Sequence, residues 1–387
     1  MNIVFIEPFR DNLLPFTYTK PVSQLRCGIL SFEDRWKCHL GDAEFSNLTE
    51  NYLSSKYPAR LTEDNYFINA SVIPNKHLVA AIKDLEVNTS LVQGDIIIAK
   101  RSISIDSECR LVDYNDSVIL IQNTWDIFSH NHKAIELDYA LLTLGRNSQP
   151  IPHHVTCFNP DNIFIEEGVK LYNCTLNASE GPIYIGKNAE VMEYSSIRGP
   201  FAMCNNAVVK MGAKIYTGTT IGPYSKIGGE VSNSVIQGFS NKGHDGFLGN
   251  SVIGEWCNLG ADTNTSNLKN NYASVKLWDY TKGRFSNTGL QFCGLMMGDH
   301  SKCGINTMFN TGTVIGICAN IFGDGFPRNF IPSFSWGGKA GFMNYKLDKV
   351  YEVAEVVMQR RGEKLEDDEK DILQTVYKLT SIYRKRY

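Results

Sequence analysis

The sequence predicts an α/β layer with a parallel sheet, followed by a parallel β-solenoid and a short helical segment. Two observations lead to this fold class: strands alternate with helices over about the first 150 residues, and aliphatic residues recur every six positions in the middle of the chain. An α-helix shows spacings of three and four and a strand shows a spacing of two, so a sustained spacing of six fits neither. It indicates a hexapeptide solenoid, in which each step is one short strand and one turn.

The first predicted part covers residues 1–150. Its pattern gives strands at residues 2–7, 66–69 and 95–100, and helices at residues 32–40, 76–85 and 125–144. Strands that alternate with helices favour a parallel sheet covered by helices. The proline-containing stretch at residues 147–159 is predicted to link this layer to the solenoid.

The solenoid is predicted over residues 160–330. Its first register is a run of eight residues, six apart and almost all aliphatic: Ile185, Val191, Ile197, Met203, Val209, Ile215, Ile221 and Ile227. A second register takes in Val235, Phe247, Ile253 and Leu259. A third takes in Met297, Cys303, Phe309, Ile315 and Ile321. Each change of register predicts residues that leave the coil as a loop.

The third predicted part covers residues 340–387. Helical spacing occurs at residues 347–361 and 367–383, and Gly362 separates the two stretches. These helices are expected to form a terminal cap on the solenoid or a contact between subunits.

Composition narrows the class of protein. A chain of 387 residues that is 43% hydrophobic can bury a large core, and its net charge of −3 gives no electrostatic case for binding nucleic acid. No apolar stretch approaches the roughly 20 residues of a membrane span, and the first residues read as a strand rather than a signal peptide. The ten cysteines form no C-x-x-C pair, which argues against a zinc site. We therefore expect a cytoplasmic protein with reduced thiols and no membrane or nucleic-acid partner.

A histidine marks the first break of the repeat, in the stretch NKGHDGFLG that begins at Asn241. A loop that interrupts a rigid coil would expose His244 in a fixed position. An ordinary imidazole has a pKa of about 6.5, which suits a general base at neutral pH. The alternative is a surface histidine with no role, and this is the favoured interpretation for His300, which the repeat places on an outer turn.

Residues 242–267, KGHDGFLGNSVIGEWCNLGADTNTSN, resemble the acetyltransferase half of the bifunctional N-acetylglucosamine-1-phosphate uridylyltransferase/glucosamine-1-phosphate acetyltransferase family. The positions that match its motif are His244, Leu248, Gly249, Ile253, Gly254, Asn258, Gly260, Ala261, Thr263 and Asn267. Residues 294–306 resemble the archaeal two-domain sugar-1-phosphate nucleotidyltransferase/acetyltransferases, and the whole chain resembles bacterial sugar nucleotidyltransferase-like proteins with a shortened first domain. The resemblance implies that the solenoid is a left-handed parallel β-helix.

The resemblance also implies an activity. It predicts a homotrimeric, acetyl-CoA-dependent N-acetyltransferase of UDP-N-acetylglucosamine biosynthesis, acting on an amino-sugar 1-phosphate or a nucleotide-linked amino sugar. His244 would take the proton from the sugar amine as the amine attacks the thioester. Asn267 would orient the acyl carbonyl or the sugar, because a side-chain amide can donate to a developing oxyanion.

Further binding residues follow from the same resemblance. Four positions would bind the sugar phosphate: Lys242, Phe247, Asn258 and Lys276. Ala261 and the wall around Gly304 would line the path of the pantetheine arm. Phe247 stands where the family has a tyrosine, which leaves the identity of the amino sugar open.

The first part of the chain leaves alternatives open. Active nucleotidyltransferases of the resembled class begin with a glycine-rich loop that cradles phosphates, but residues 7–15 contain no glycine. Basic residues that could bind substrate remain at Arg10, Lys20 and Arg26, and Asp95 after Gly94 is a candidate ligand for Mg²⁺. The alternatives are therefore a UTP-dependent sugar-1-phosphate nucleotidyltransferase acting through residues 1–150, or a non-catalytic protein that binds a sugar nucleotide.

Overall fold

A computed structural model describes residues 1–384 of the chain. The N-terminal layer contains a six-stranded sheet of order β2-β1-β3-β6-β5-β7 and a separate pair, β4 and β8. The strands are β1 (Asn2–Ile6), β2 (Glu44–Asn47), β3 (Asn65–Asn69), β4 (Val72–Ile73), β5 (Thr89–Gln93), β6 (Ile96–Ser102), β7 (Arg110–Asp113) and β8 (Ile119–Leu120).

The sheet combines parallel and antiparallel strand pairs. β1 pairs in parallel with β2 and β3, and β5 pairs in parallel with β7. β6 runs antiparallel to both β3 and β5. A short turn through Gly94 joins β5 to β6, and so tight a connection can only join antiparallel neighbours. The layer is therefore α/β with a mixed sheet, in which the predicted parallel pairing holds for three of the five strand pairs.

The N-terminal layer contains four α-helices: α1 (Phe32–Leu40), α2 (Lys76–Lys83), α3 (Thr124–Ser129) and α4 (Asn131–Thr143). Short 3₁₀ turns lie at Arg10–Leu13, Val22–Gln24, Asn51–Leu53 and Pro160–Asn162. The long helix predicted at residues 125–144 is two helices that meet at His130. Just after the junction of the two helices, the buried side chain of Asn131 makes hydrogen bonds to other parts of the chain. It accepts from the Gly28 amide (2.7 Å) and donates to the Gly218 carbonyl (2.7 Å). These contacts to distant residues cannot be read from local periodicity.

The middle of the chain is a left-handed parallel β-helix with three faces. Face A consists of Ile163–Ile165, Ile183–Ile185, Phe201–Met203, Thr219–Ile221, Val235–Gly238, Val252–Glu255, Leu295–Met297, Thr313–Ile315 and Phe330–Ile331. Face B consists of Lys170–Leu171, Glu190–Val191, Val208–Val209, Lys226–Ile227, Asn241–Lys242, Asn258–Leu259, Lys302–Cys303, Asn320–Ile321, Ser335–Gly338 and the antiparallel Gly341–Asn344. Face C consists of Thr156–Phe158, Thr175–Asn177, Ser196–Arg198, Lys214–Ile215, Glu230–Ser232 and Phe247–Gly249, followed by the paired strands Asn264–Thr265 and Met308–Phe309.

The hexapeptide repeat is confirmed. All eight residues of the first register lie in strands that rotate through faces A, B and C, and all eight are at most 2% exposed. The five residues of the third register likewise belong to the interior core of the β-helix. One inward residue per strand therefore fills the prism, as the period of six predicts.

The first change of register has a different cause from the one predicted. The corner between faces B and C has four residues at 192–195 and at 210–213, but only Gly228 and Gly229 follow Ile227. The coil is shortened there, and no loop leaves it. As a result Ile236 and Leu248 point inward, where the sequence predicted Val235 and Phe247. The corner that holds His244, residues 243–246, again has four residues and is an ordinary corner of the coil.

The second change of register is a true excursion. Between Asn264–Thr265 and Leu295–Met297 the chain leaves the coil and forms an antiparallel hairpin of Lys276–Asp279 and Arg284–Asn287. The predicted loop is therefore confirmed in this place.

The C-terminal segment forms α5 (Leu347–Gln359), α6 (Asp367–Leu379) and α7 (Ser381–Arg384). These helices pack on the β-helix and on the N-terminal layer, as the hydrogen bonds from Arg384 to the Ser333 carbonyl and from Lys56 to Glu369 show. Within residues 1–384, no helix combines the length and the apolar character needed to cross a membrane.

One hydrophobic core joins all three parts of the chain. Val235, Val252 and Met296 on face A belong to the same buried cluster as the strands of the N-terminal sheet and the helices α5 and α6. Polar contacts reinforce the joint, including the bond from the Thr220 hydroxyl to the Gly28 carbonyl (3.0 Å). Face A is therefore covered by the N-terminal layer, while His244 lies on the corner between faces B and C and Asn267 follows a strand of face C.

Candidate active site

The corner at residues 243–246 holds His244 out into solvent. It connects Asn241–Lys242 on face B to Phe247–Gly249 on face C, and the His244 side chain is exposed. Its backbone is tied to the coils on either side. The Asp262 amide donates to the Asp245 carbonyl (3.1 Å), and the Glu230 amide donates to the Gly246 carbonyl (3.2 Å). The scaffold therefore presents an exposed imidazole on a fixed backbone, as predicted.

Asn267 lies one coil further along the chain, two residues beyond the strand Asn264–Thr265 that follows Phe247–Gly249 on face C. Its side-chain Nδ2 donates to the Oδ1 of Asn250 (2.8 Å), the residue that follows Phe247–Gly249. Asn250 orients the Asn267 amide, and the repeat pattern gave no signal for this partner.

Phe247 and Asn267 meet above Gly249. A Cβ atom placed on Gly249 would lie 2.6 Å from the Asn267 Nδ2 and 2.6 Å from the Phe247 ring. Only glycine leaves room for both side chains there. The Phe247 amide also donates to the Oδ1 of Asn264 (2.8 Å). The structure therefore brings Phe247 and Asn267 together on face C, with His244 at one end.

Ala261 and Gly304 stack on the His244 corner in successive coils. The Asn306 amide donates to the Ala261 carbonyl (2.8 Å), and a Cβ on Gly260 would lie 2.5 Å from the Gly304 backbone. Because Ala261 has only a methyl side chain and Gly304 has none, they leave open space on the surface next to His244. The structure thus places both predicted cofactor-binding positions along the same edge of the prism as the histidine.

Lys276 lies at the start of the excursion hairpin and is exposed. It lines a cavity of about 470 Å³ together with two further cations, Lys269 and Arg328. Thr311 also lines this cavity and hydrogen-bonds to the Ser266 hydroxyl (2.6 Å), next to Asn267 in the chain. A basic cavity therefore continues the line that runs from His244 through Phe247 to Asn267. Neither Lys269 nor Arg328 was singled out from the sequence, because their convergence depends on the path of the excursion.

Two predicted substrate contacts lie elsewhere. Asn258 is exposed but belongs to face B, where it pairs with Asn241. Lys242 is only 2% exposed and turns into the prism, so it cannot contact a substrate on the surface. Because the shortened corner sets which residues point inward, the sequence alone did not show that Lys242 is an interior residue.

Arg10 lies in a polar cavity of the N-terminal layer. The cavity has a volume of about 310 Å³ and lies beyond the carboxyl ends of β1 and β2. The Arg10 guanidinium donates to the Thr17 carbonyl (2.6 Å) and to the Tyr52 hydroxyl (2.6 Å). Glu7 also lines the cavity, and burial raises the pKa of its carboxyl.

Lys20 and Arg26 join the N-terminal layer to the β-helix. The Lys20 ammonium is buried, and it forms ion pairs with Asp299 (3.0 Å) and with Glu255. Burial alone would lower its pKa, but these two carboxylates hold the pKa of Lys20 above its usual value. Arg26 bonds to the backbone and side chain of Gln237. Neither residue lines the Arg10 cavity, so the structure does not bring the three predicted basic residues together.

The predicted Mg²⁺ ligand, Asp95, is exposed in the turn between β5 and β6. Within residues 1–384, no three His, Cys, Asp or Glu side chains lie together in a way that could hold a metal ion. Mg²⁺ is commonly bound through one or two carboxylates together with substrate phosphates, so Asp95 remains a prediction.

His300 differs from its predicted place on an open turn. Its ring is the last in a column of aromatic side chains along one corner of the β-helix. The distances between ring centroids are 5.1 Å for Tyr224 and Phe239, 4.3 Å for Phe239 and Trp256, and 6.3 Å for Trp256 and His300. The N-terminal layer and α6 cover this corner. Burial lowers the pKa of His300 to about 3, so it stays neutral and cannot shuttle protons at neutral pH.

Comparison with known proteins supports both halves of this description. Residues 2–147 match the family model of the sugar nucleotidyl transferases. A bifunctional sugar-1-phosphate nucleotidylyltransferase/acetyltransferase of Sulfurisphaera tokodaii is 29% identical over 202 residues, which is 50% of this chain and 47% of that protein. The chain therefore joins a layer that matches the sugar nucleotidyl transferase model to a left-handed β-helix, and its relatives include nucleotidyltransferase/acetyltransferases.

Two further relatives carry the name bifunctional protein GlmU. That of Methanocaldococcus jannaschii is 36% identical over 87 residues, covering 22% of this chain and 21% of the relative. The GlmU of Rippkaea orientalis is 30% identical over 134 residues, which cover 29% of this chain and 30% of the relative. The chain spans at most about half the length of these curated relatives. The matches confirm the resemblance found in the sequence: the chain is similar, over at most about half of its length, to bifunctional nucleotidyltransferase/acetyltransferases.

Proposed function

We propose that the protein is an acetyl-CoA-dependent N-acetyltransferase that acts on an amino-sugar 1-phosphate or a nucleotide-linked amino sugar. The observation that carries this proposal is the arrangement along face C. An exposed histidine lies on the corner before Phe247–Gly249, the Asn267 amide bonds to Asn250 just after that strand, and a cavity lined by three cations lies beyond it. The names of the relatives, which include sugar-phosphate nucleotidyl and acetyl transfer, support the same choice.

In this proposal His244 is the general base. Its neutral imidazole takes a proton from the acceptor amine as the nitrogen attacks the thioester carbon. The amide C–N bond forms and the C–S bond breaks, and the departing thiolate takes the proton back from the imidazole. Asn267 donates to the oxygen that becomes negative during the attack, and Asn250 keeps its amide in place.

In this proposal the remaining residues bind either acetyl-CoA or the sugar substrate. Ala261 and Gly304 leave room for the pantetheine arm beside His244, and Phe247 offers an apolar surface to the sugar ring. Lys276, with Lys269 and Arg328, would bind a phosphate in the cavity beyond Asn267, because cations in a partly enclosed cavity favour an anion.

We also propose that the working form is a homotrimer, with the acyl site between neighbouring prisms. Three large apolar side chains are exposed on the corner between faces B and C that also carries His244: Tyr194 (73%), Met211 (62%) and Ile305 (69%). Light scattering should give a mass of three 43.4 kDa chains, and a mass of one chain would contradict this assignment.

The direct test is release of thiol from acetyl-CoA, with glucosamine 1-phosphate and a panel of nucleotide-linked amino sugars as acceptors. Release that depends on one acceptor would establish acetyl transfer and identify the substrate. Without release from any acceptor, and without an effect of acetyl-CoA on the melting temperature, the protein would be a binding protein.

Replacing Asn267 with alanine should lower the turnover number about 10²- to 10³-fold, the usual effect of removing one oxyanion donor. The Michaelis constant for acetyl-CoA should change little, because the donated bond strengthens only in the transition state. Asn270, an exposed asparagine three positions on, provides the matched control, and Asn270→Ala should leave turnover unchanged. Equal turnover in the Asn267→Ala variant and the wild type would rule out this role.

A second candidate function is nucleotidyl transfer by the N-terminal layer. It is favoured by the family match over residues 2–147 and by the cavity at Arg10, since ligands of open α/β sheets bind beyond the carboxyl ends of the strands. The test is release of pyrophosphate from UTP and a sugar 1-phosphate with Mg²⁺ supplied in the assay. Release that Arg10→Ala abolishes would support it, and no release would leave the layer a binding or packing element.

A further inference from the structure

A lysine occupies the interior of the β-helix directly below the His244 corner. The inward positions of face B form a column in which Ile227, Lys242, Leu259 and Cys303 follow one another in successive coils. All four are at most 5% exposed. In this stretch Lys242 is the only residue with an ordinarily charged side chain, and burying an ammonium among apolar groups is unfavourable unless it is well paired.

The Lys242 ammonium bonds only to the corner above it in the contacts that the structure describes. Its Nζ donates to the carbonyl of His244 and, at 3.2 Å, to the carbonyl of Asp245. A buried, charge-assisted donor is stronger than a neutral one, so it can fix two successive carbonyls. The direction of the His244 side chain follows from the backbone that these carbonyls belong to.

In the neighbouring corners a threonine hydroxyl, rather than a lysine, donates a hydrogen bond to a backbone carbonyl of the corner. At residues 260–263 the Thr263 hydroxyl donates to the Gly260 carbonyl (2.7 Å), and at residues 304–307 the Thr307 hydroxyl donates to the Gly304 carbonyl (2.8 Å). The equivalent fourth position of the histidine corner is Gly246, which has no hydroxyl to donate. Lys242 supplies the missing donors from inside the prism.

We propose that Lys242 is a positioning residue that holds the His244 corner in its working conformation, an inference that rests on the proposed role of His244. Its purpose is not the stability of the β-helix, because an apolar side chain of similar size would fill the column without the desolvation of a charge.

Titration provides a signature of this role. Burial lowers the pKa of Lys242 to about 8, against the opposing influence of Asp245, Cys303 and Asp262, which face it from its own corner and from the two next coils. Below about pH 8 the ammonium holds both carbonyls, and above it the neutral amine holds them less strongly. The turnover number of the wild type should therefore decline above about pH 8, and this decline should be absent when Lys242 is replaced.

The test compares Lys242→Met with Ile227→Met, a matched exchange in the same column one coil earlier. Hydrogen exchange is followed at the amides of Phe247 and Asp262, whose hydrogen bonds fix the ends of the corner. In Lys242→Met we expect exchange at these amides to be about tenfold faster, a melting temperature equal to or above that of the wild type, and a turnover number about tenfold lower. Ile227→Met should match the wild type in all three.

Unchanged exchange at Phe247 and Asp262 in Lys242→Met would overturn the proposal, as would a large fall in melting temperature, which would make Lys242 a residue of general stability. Faster exchange confined to this corner supports it even if no acetyl transfer is detected. The failure of the proposed activity and the failure of this inference are therefore distinguishable.

Discussion

Replacing His244 with alanine is expected to lower the turnover number of acetyl transfer by about 10²- to 10⁴-fold, the range that a positioned general base contributes. The side chain is exposed on a corner whose backbone is tied to the neighbouring coils, so its removal should leave the fold intact. Thiol release at saturating acetyl-CoA, followed against pH, measures the effect. The dependence of the rate on ionisation of an imidazole should disappear in the variant.

His132 offers a control for this experiment, because it is equally exposed but lies on α4, away from face C. His132→Ala should keep the activity and the pH profile of the wild type. Activity within a few-fold of the wild type in His244→Ala would show that another group removes the proton, and the base assignment would be wrong.

Replacing Asp138 with alanine should lower the free energy of unfolding by about 3–5 kcal/mol, the usual effect of removing one partner of a buried ion pair. Asp138 and Arg35 are 0% and 1% exposed. The carboxylate accepts from the Arg35 Nε (2.6 Å) and from the backbone amides of Ile29 (2.8 Å) and Leu30 (3.0 Å). The variant would leave a buried guanidinium and two amides without this acceptor. Urea unfolding monitored by circular dichroism measures the loss.

The matched control is Glu136→Ala on the same helix. Glu136 pairs with Lys133 at 2.9 Å on the surface, and an exposed pair contributes only about 0–1 kcal/mol. A loss below about 1 kcal/mol in Asp138→Ala would contradict the assignment of this pair as a structural anchor. Because residues 26–31 lie against face A, a looser segment there should also weaken the joint with the β-helix.

The repeat could be predicted because it is local. A strand of three residues and its corner together take six positions. The spacing of Ile185, Val191 and Ile197 therefore predicts the three-sided coil without any knowledge of distant contacts. Helix α1 could be predicted for a similar reason. Ser31 accepts from the Asp34 amide at its start, and Gly41 follows its end, as is typical of helix boundaries.

Other features depend on contacts that sequence spacing does not contain. The corner at Gly228 is two residues shorter than its neighbours, so the next inward residue is Val231, two positions before a spacing of six would place it, and further along Leu248 points into the core while Phe247 does not. Because Lys20 and Arg26 are basic, the sequence predicts that they bind substrate. Their partners, including Glu255, are more than 200 residues away in the chain.

The candidate site was predicted in part. A motif predicts His244 and Asn267, and the structure places them in two neighbouring coils, His244 on the corner before Phe247–Gly249 and Asn267 beside Asn250 just after it. Asn250, which orients Asn267, has no signature of its own, because an asparagine at a corner is equally suited to a left-handed turn. The cations at Lys269 and Arg328 converge only through the excursion hairpin.

The core shared by the three parts of the chain has a consequence for how this protein can be divided. A fragment that begins after residue 150 would leave Val235, Val252 and Met296 on an uncovered flank of the prism. A contiguous apolar flank of that kind promotes association between copies. A gene truncated to this part would therefore yield a fragment that associates with other copies of itself rather than an independent domain.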